Sequence, residues 1–293
     1  MTWHVPILLR VLIAAVLFPI AQKKITGLGS RTRRFRLMFL YSWGFAAIYA
    51  LLVGGPFDPA TGSLICLLGF VVSFGTYCYW RAVAVSLSTT ALTMQADDIF
   101  GMLLGYIFLS ELQYLNSFTL VIGILLALGA VFLYLMSKRT YSDGKRKDGV
   151  PFVVWVMGYS FIWGGAFFMI RFLALREVPM QTFLVSWYTG SIIGSSVILK
   201  IAGKKEAGEP LPIIEHFWSV VLAALIVIAL GLQFWVAGLA PITVFQPIYQ
   251  VTEMIFPALL GLYLFKELKV LTRVGTLAFV LGGIGMLMIM FSF

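Results

Sequence analysis

Three acidic residues stand in stretches that are otherwise apolar: Asp97 and Asp98 in the run 88–110, and Glu253 in the run 243–265. An ionised carboxylate at the bilayer centre costs about 2.5–3.5 kcal/mol on insertion scales, so such residues face a cavity or a partner. Gln246, Gln250, Glu253 and Pro257 follow at steps of four, three and four, which puts them on one face of a helix. Thr90, Met94, Asp97 and Gly101 repeat those steps in the earlier run. Such a stripe can pair with a cationic or amine group, or exchange a proton with it. The alternative is structural: protonated, hydrogen-bonded packing groups with no ligand. Asp98 lies about 100° round the helix from Asp97 and joins the candidates.

Aromatic residues accompany the acids. Tyr77, Tyr79 and Trp80 precede them, Tyr249 shares the run of Glu253, and Trp163, Trp187, Tyr188 and Trp235 lie in further apolar runs. Acids with aromatic faces suit an organic cation through charge pairing and cation–π contact; each aromatic alone also suits a membrane core or interfacial belt. Candidates for substrate binding or proton coupling are therefore Glu253, Asp97, Asp98, Gln246, Gln250, Tyr249, Trp80, Tyr79, Trp235 and Trp163. No catalytic residue, metal or cofactor is expected. His4 and His216 lie far from any cluster with metal-ligand spacing, and Cys66 and Cys78 sit inside apolar runs. A Gly-rich phosphate loop, a nucleophile elbow and a zinc-protease motif are all missing, so the chain does not read as an enzyme. Arg10 either snorkels outward or neutralises an internal charge, and Glu111 and Glu267 read as interfacial charges.

The elements that must hold these residues are membrane spans. Of 293 residues, 61% are hydrophobic and only 11% charged, too little polar surface for a soluble protein of this size. Apolar runs fall at about 4–22, 37–54, 63–83, 88–110 and 115–137, then at about 151–174, 179–200, 217–239, 243–265 and 270–292. The first resembles a signal peptide, but Lys23, Lys24, Arg31, Arg33, Arg34 and Arg36 follow it and resist translocation, so it is read as a span. Residues 138–150 form a polar linker between 1–137 and 151–293. These halves are related. A shift of 156 positions lays Ile99 and Phe100 on Ile255 and Phe256, Leu103, Leu104 and Gly105 on Leu259, Leu260 and Gly261, and Glu111, Leu112 and Leu115 on Glu267, Leu268 and Leu271. It also lays Asp97 on Glu253. Gly190 and Gly194, four apart, mark a close helix contact within or between chains.

A repeat with an odd number of spans must insert its second copy upside down. The expected fold is an all-α integral membrane protein of about ten transmembrane helices, as two inverted five-helix repeats, a transporter signature. All basic residues except Arg10, Arg171 and Arg176 fall in or beside the loops after the odd-numbered spans. By the positive-inside rule that side is cytoplasmic and both termini lie outside, in a plasma (inner) membrane. The same clustering in loops argues against nucleic acid as the partner of a chain of net charge +9. The expected partners are a small-molecule substrate and the bilayer; the sequence leaves oligomeric state open.

The chain resembles the EamA-type, ten-helix members of the drug/metabolite transporter superfamily. The resemblance rests on Leu104-Gly105 with Leu109-Ser110-Glu111-Leu112, on Leu260-Gly261 with Phe265-Lys266-Glu267-Leu268, on the Gly-containing fifth span of each half, and on Trp163-Gly164-Gly165 with Arg171. It departs from the family in having Ala15-Val16 where a first Trp-Gly step would stand, and in an orientation opposite to the common one. The resemblance implies a secondary transporter of metabolites or drugs working by alternating access. The alternative is a flippase or membrane enzyme acting on a lipid or lipid-linked substrate.

Overall fold

The computed structural model describes residues 4–26, 31–85, 87–111, 118–119, 121–123, 125–126, 129–130, 132–133, 152–202, 212–265 and 273–290. Among the described residues every regular element is helical: α1 (His4–Val11), a π-helical segment (Leu12–Leu17), α2 (Phe18–Thr26), α3 (Arg31–Val53), α4 (Pro59–Val85), α5 (Leu87–Thr93), α6 (Gln95–Phe108), α7 (Phe152–Leu175), α8 (Met180–Ala202), α9 (Ile213–Leu239), α10 (Ile242–Leu259), a second π segment (Leu260–Leu264) and α11 (Arg273–Met290). Among the described residues six helices are long and apolar enough to cross a membrane: His4–Ile25, Thr32–Val53, Pro59–Val85, Phe152–Leu175, Met180–Ala202 and Ile213–Leu239. A helix satisfies its own backbone, which hydrocarbon requires. Leu51, Leu52 and Ile213 are 85%, 81% and 89% exposed at helix ends, and Ile48, Leu67 and Phe161 are exposed along the spans, an apolar surface that suits lipid. This is an all-α, multi-pass membrane protein.

Most helices match the apolar runs, and two differ for physical reasons. The second begins at Arg31, before the run at 37–54, because α3 takes a basic first turn and turns Arg34 inward. The fourth run is broken at Met94, between α5 and α6. Its lead-in is rich in Ser and Thr, whose hydroxyls compete for backbone acceptors, and Thr93 Oγ1 donates to the Thr90 carbonyl at 3.3 Å. The run 115–137 is described only in part. The linker 138–150, Leu112, Leu115 and the stretch 266–272 with Glu267 lie outside the described residues.

The chain divides into two compact units, and each takes helices from both sides of the linker. Unit 1 is Met1–Trp80 with Met169–Leu239. In it α3 packs along α8 and α9, and α9 also carries α1 and α2. α4 meets α8 backbone to backbone. A Cβ on Gly190 would stand 2.7 Å from the Phe70 nitrogen, and one on Gly194 2.7 Å from the Phe70 carbonyl oxygen. Ser191 Oγ donates across this contact to the Gly69 carbonyl at 3.2 Å. The Gly190–Gly194 pair thus serves packing within the chain, as small residues do between membrane helices. Arg10, fully inside, donates through Nη2 to Gln233 Oε1 at 3.0 Å rather than snorkelling. At the other end of the unit Arg34 Nε lies 2.9 Å from Glu215 Oε2, and Nη1 donates to the Ile25 carbonyl.

Unit 2 is Arg81–Phe168 with Ala240–Phe293. Here α10 packs against α5, α6 and α11. α6 and α7 approach closely where Gly101 and Gly164 face each other: a Cβ on Gly164 would stand 2.6 Å from the Asp97 carbonyl oxygen, and one on Gly101 3.1 Å from the Gly164 carbonyl. Ala82, Phe152 and Val156 form a small buried cluster with Trp155 against it. Glu111 is buried just past α6 instead of reaching an interface, after Ser110 turns the chain at φ 55°.

Candidate functional site

The break at Met94 restarts the helix at Gln95, so Asp97 and Asp98 occupy the first turn of α6 rather than the middle of a long helix. The Asp97 amide bonds the Met94 carbonyl at 3.0 Å, closing a tight turn. Amides at a helix N-terminus and the helix dipole both favour a carboxylate there. Both acids are buried, at 4% and 5% exposure.

Their partners come from α7 and α10. The Tyr159 hydroxyl donates to the Asp97 carboxyl group, and Glu253 of α10 lies within electrostatic reach of it. Gln246 Nε2, one side of the same α10 stripe, donates to Asp98 Oδ1. Gln246 and Gln250 are fully buried, Tyr249 nearly so, and Glu253 is half-buried. Tyr249 packs on Phe245 with ring centroids 5.5 Å apart. Pro257 brings no N–H to the Glu253 carbonyl one turn back, and α10 passes into the π segment three residues later. The four polar positions Asp97, Asp98, Gln246 and Glu253 therefore meet in unit 2, with Tyr159 among them. Tyr159 and Gln246 hold the carboxyl oxygens of Asp97 and Asp98 in place.

The aromatic candidates scatter. Trp163 lies between Tyr159 and Phe167 on α7, with centroids 6.2 and 5.5 Å away. Tyr79, Trp80 and Trp235 belong to unit 1. There Tyr79 stacks on Phe18 at 6.4 Å, and the buried Trp80 packs edge-on against Phe35 at 5.2 Å. Trp235 is 39% exposed on α9.

No family model matches the sequence, and no curated protein matches it. A solved structure described only as "Crystal structure of protein" is similar in fold: TM-score 0.58, 14% identity, over 94% of this chain and 96% of that one. At that identity the likeness concerns the fold alone.

Tyr159 and Gly164 were not among the residues expected at a site. Tyr159 has no acid or amide nearby in sequence to single it out; its one signal is the aromatic stripe Tyr159, Trp163, Phe167 at steps of four on α7. Gly164 carries the close approach that brings α7 onto the Asp97 turn. Among the described residues no group of three or more His, Cys, Asp or Glu side chains is arranged to hold a metal ion.

Proposed function

We propose that this chain is a secondary transporter of a small metabolite or drug, of the EamA type in the drug/metabolite transporter superfamily, built as two inverted five-helix repeats and working by alternating access. The observation that supports it is the meeting of Asp97 and Glu253. They hold equivalent positions under the 156-residue shift, lie far apart in sequence, and come within electrostatic reach of each other. The carboxyls of Asp97, bonded by the Tyr159 phenol, and Glu253, beside Asp98 with its Gln246 amide, form a receptor for an organic cation or amine, or for a proton exchanged against one. Cytoplasmic loops on the basic side and both termini outside belong to the same proposal.

The test is a thermal-shift screen of the purified protein and Glu253→Gln against amines, amino acids, sugars and nucleotides. A ligand at a hundred times its Kd adds about 2.7 kcal/mol to the folded state. Stabilisation by one cationic class, absent in Glu253→Gln and in Asp97→Asn, is the expected result. Transport of that class into proteoliposomes then completes it. Stabilisation by neutral or anionic compounds, unchanged in both variants, would remove the acids from the function. Lipid scrambling in vesicles with no soluble substrate would replace the transporter by a flippase.

A further inference from the structure

The opening turns of α3 carry arginines that take different paths. Arg34 points inward to Glu215 and the Ile25 carbonyl. Arg33 and Arg36 lie on another face. With Leu37 and Leu40 they follow steps of three, one and three, a single stripe of α3. That stripe lines a cavity of about 240 Å³ whose remaining walls are Leu199 of α8 and His216 of α9. The imidazole is held in place by the Tyr41 hydroxyl, 2.8 Å from Nδ1.

The lining is graded. Its cationic members start the helix, and Leu40 lies about 10 Å further along the axis at 1.5 Å per residue. Leu40 is 44% exposed on a helix long and apolar enough to cross a membrane, so the apolar end of the lining is accessible from outside the protein. At 240 Å³ the space is smaller than the roughly 300–1,000 Å³ clefts that enclose a drug-sized ligand. It suits a compact anion whose apolar remainder stays outside.

We propose that this cavity seats the phosphate headgroup of an anionic phospholipid, with Arg33 and Arg36 as its counter-charges and Leu37 and Leu40 against the start of its acyl chains. The two arginines neutralise the headgroup, as basic pockets between membrane helices do. The site stands apart from the acid pair and does not depend on what the protein transports.

Native mass spectrometry of the full chain, exchanged into equimolar phosphatidylglycerol and phosphatidylcholine, tests this without any substitution. Two arginines acting at the strength of basic residues beside an anionic surface give a bound-lipid ratio of about 30 to 1 for phosphatidylglycerol. Equal retention of the two lipids overturns the proposal. The double variant Arg33→Gln/Arg36→Gln, checked for a single gel-filtration peak, is expected to bring the ratio near 1. Lys200→Gln, one residue beyond Leu199 and outside the lining, is expected to leave it unchanged. If Lys200→Gln lowers the ratio as far as the double variant, the attraction belongs to the whole basic surface and the cavity is not the site. If glycerol phosphate displaces the lipid at equal concentration, the ligand is a soluble phosphate ester and the lipid assignment fails.

Discussion

Gly164 and Gly165 are consecutive residues of α7 with opposite surroundings, and substituting each with alanine isolates the contact that carries the acid pair. A Cβ on Gly164 would stand 2.6 Å from the Asp97 carbonyl oxygen and 2.8 Å from Phe100 Cδ1, whereas one on Gly165 would meet nothing within 4 Å. Ordinary contact begins near 3.4 Å, so Gly164→Ala must push α7 off α6 by about 0.8 Å. The Phe100 ring can rotate away; the Asp97 carbonyl is helix backbone and cannot. Overpacking of this kind costs about 1–3 kcal/mol. A gap of 0.5–1 Å forfeits a quarter to a half of the dispersion energy between the groups it separates. Replacing glycine inside a helix returns roughly 0.5–1 kcal/mol in both variants. Relative to Gly165→Ala, Gly164→Ala is therefore expected to lose about 2 kcal/mol, a fall in Tm of roughly 4–8 °C for a chain of this size. Fluorescence-detected gel filtration after heating measures it in detergent. The same displacement moves the Asp97 turn against Glu253, so ligand stabilisation falls in Gly164→Ala and survives in Gly165→Ala. Equal melting of the two variants would refute the close approach of α6 and α7.

Two other perturbations have worked outcomes. Glu215→Gln leaves Arg34, which has no exposure, without its carboxylate; removing one partner of a buried pair costs about 3–5 kcal/mol, and the thermal melt should fall accordingly, while Arg34→Met/Glu215→Leu recovers most of the loss. A Glu215→Gln melt at the wild-type temperature would show the pair to be idle. Asp58 caps α4, accepting bonds from the amides of Ala60 and Thr61, each at 3.1 Å, and from the Thr61 hydroxyl. These bonds hold its carboxyl below the ordinary 3.8, the Thr61 hydroxyl bond having the largest effect. A depressed folded value means stabilisation that is present above 3.8 and lost as pH falls through the lower folded value. Asp58→Ala should therefore melt below wild type at pH 7, and the difference should close in acid. A difference that widens in acid would reverse the sign of the argument.

The sequence makes α7 and α8 legible almost to the residue, because each is one uninterrupted apolar stretch between polar ends. It also singles out Asp97 and Glu253, since acids inside a span are rare and costly. What it hides are effects of distant partners. The basic start of α3 looks like loop until Glu215, far along the chain, offers Arg34 a counter-charge. The break at Met94, where the Asp97 amide bonds the carbonyl three residues back, is one that hydropathy does not register. Gln246 shares its stripe with Glu253 yet bonds Asp98, a choice set by how α10 meets the first turn of α6. Trp235 shows the limit for aromatics: hydropathy reads a buried indole and an exposed one alike, and only the packing of α9 leaves this one 39% exposed.

The bond between Arg34 and Glu215 also sets a schedule. Glu215 leaves the ribosome 181 positions after Arg34, which at about 5–20 residues per second is a wait of roughly ten to forty seconds. Through that interval the ion pair of Arg34 with Glu215 cannot form. Unit 1 needs Met169–Leu239 and unit 2 needs residues from Ala240 onward, so neither unit can seal while the other's middle segment is being threaded. Unit 1 has all its segments once Leu239 is made and unit 2 only after that, so the two units are completed in order. A nascent chain stalled between α7 and α9 lacks the Glu215 partner of Arg34.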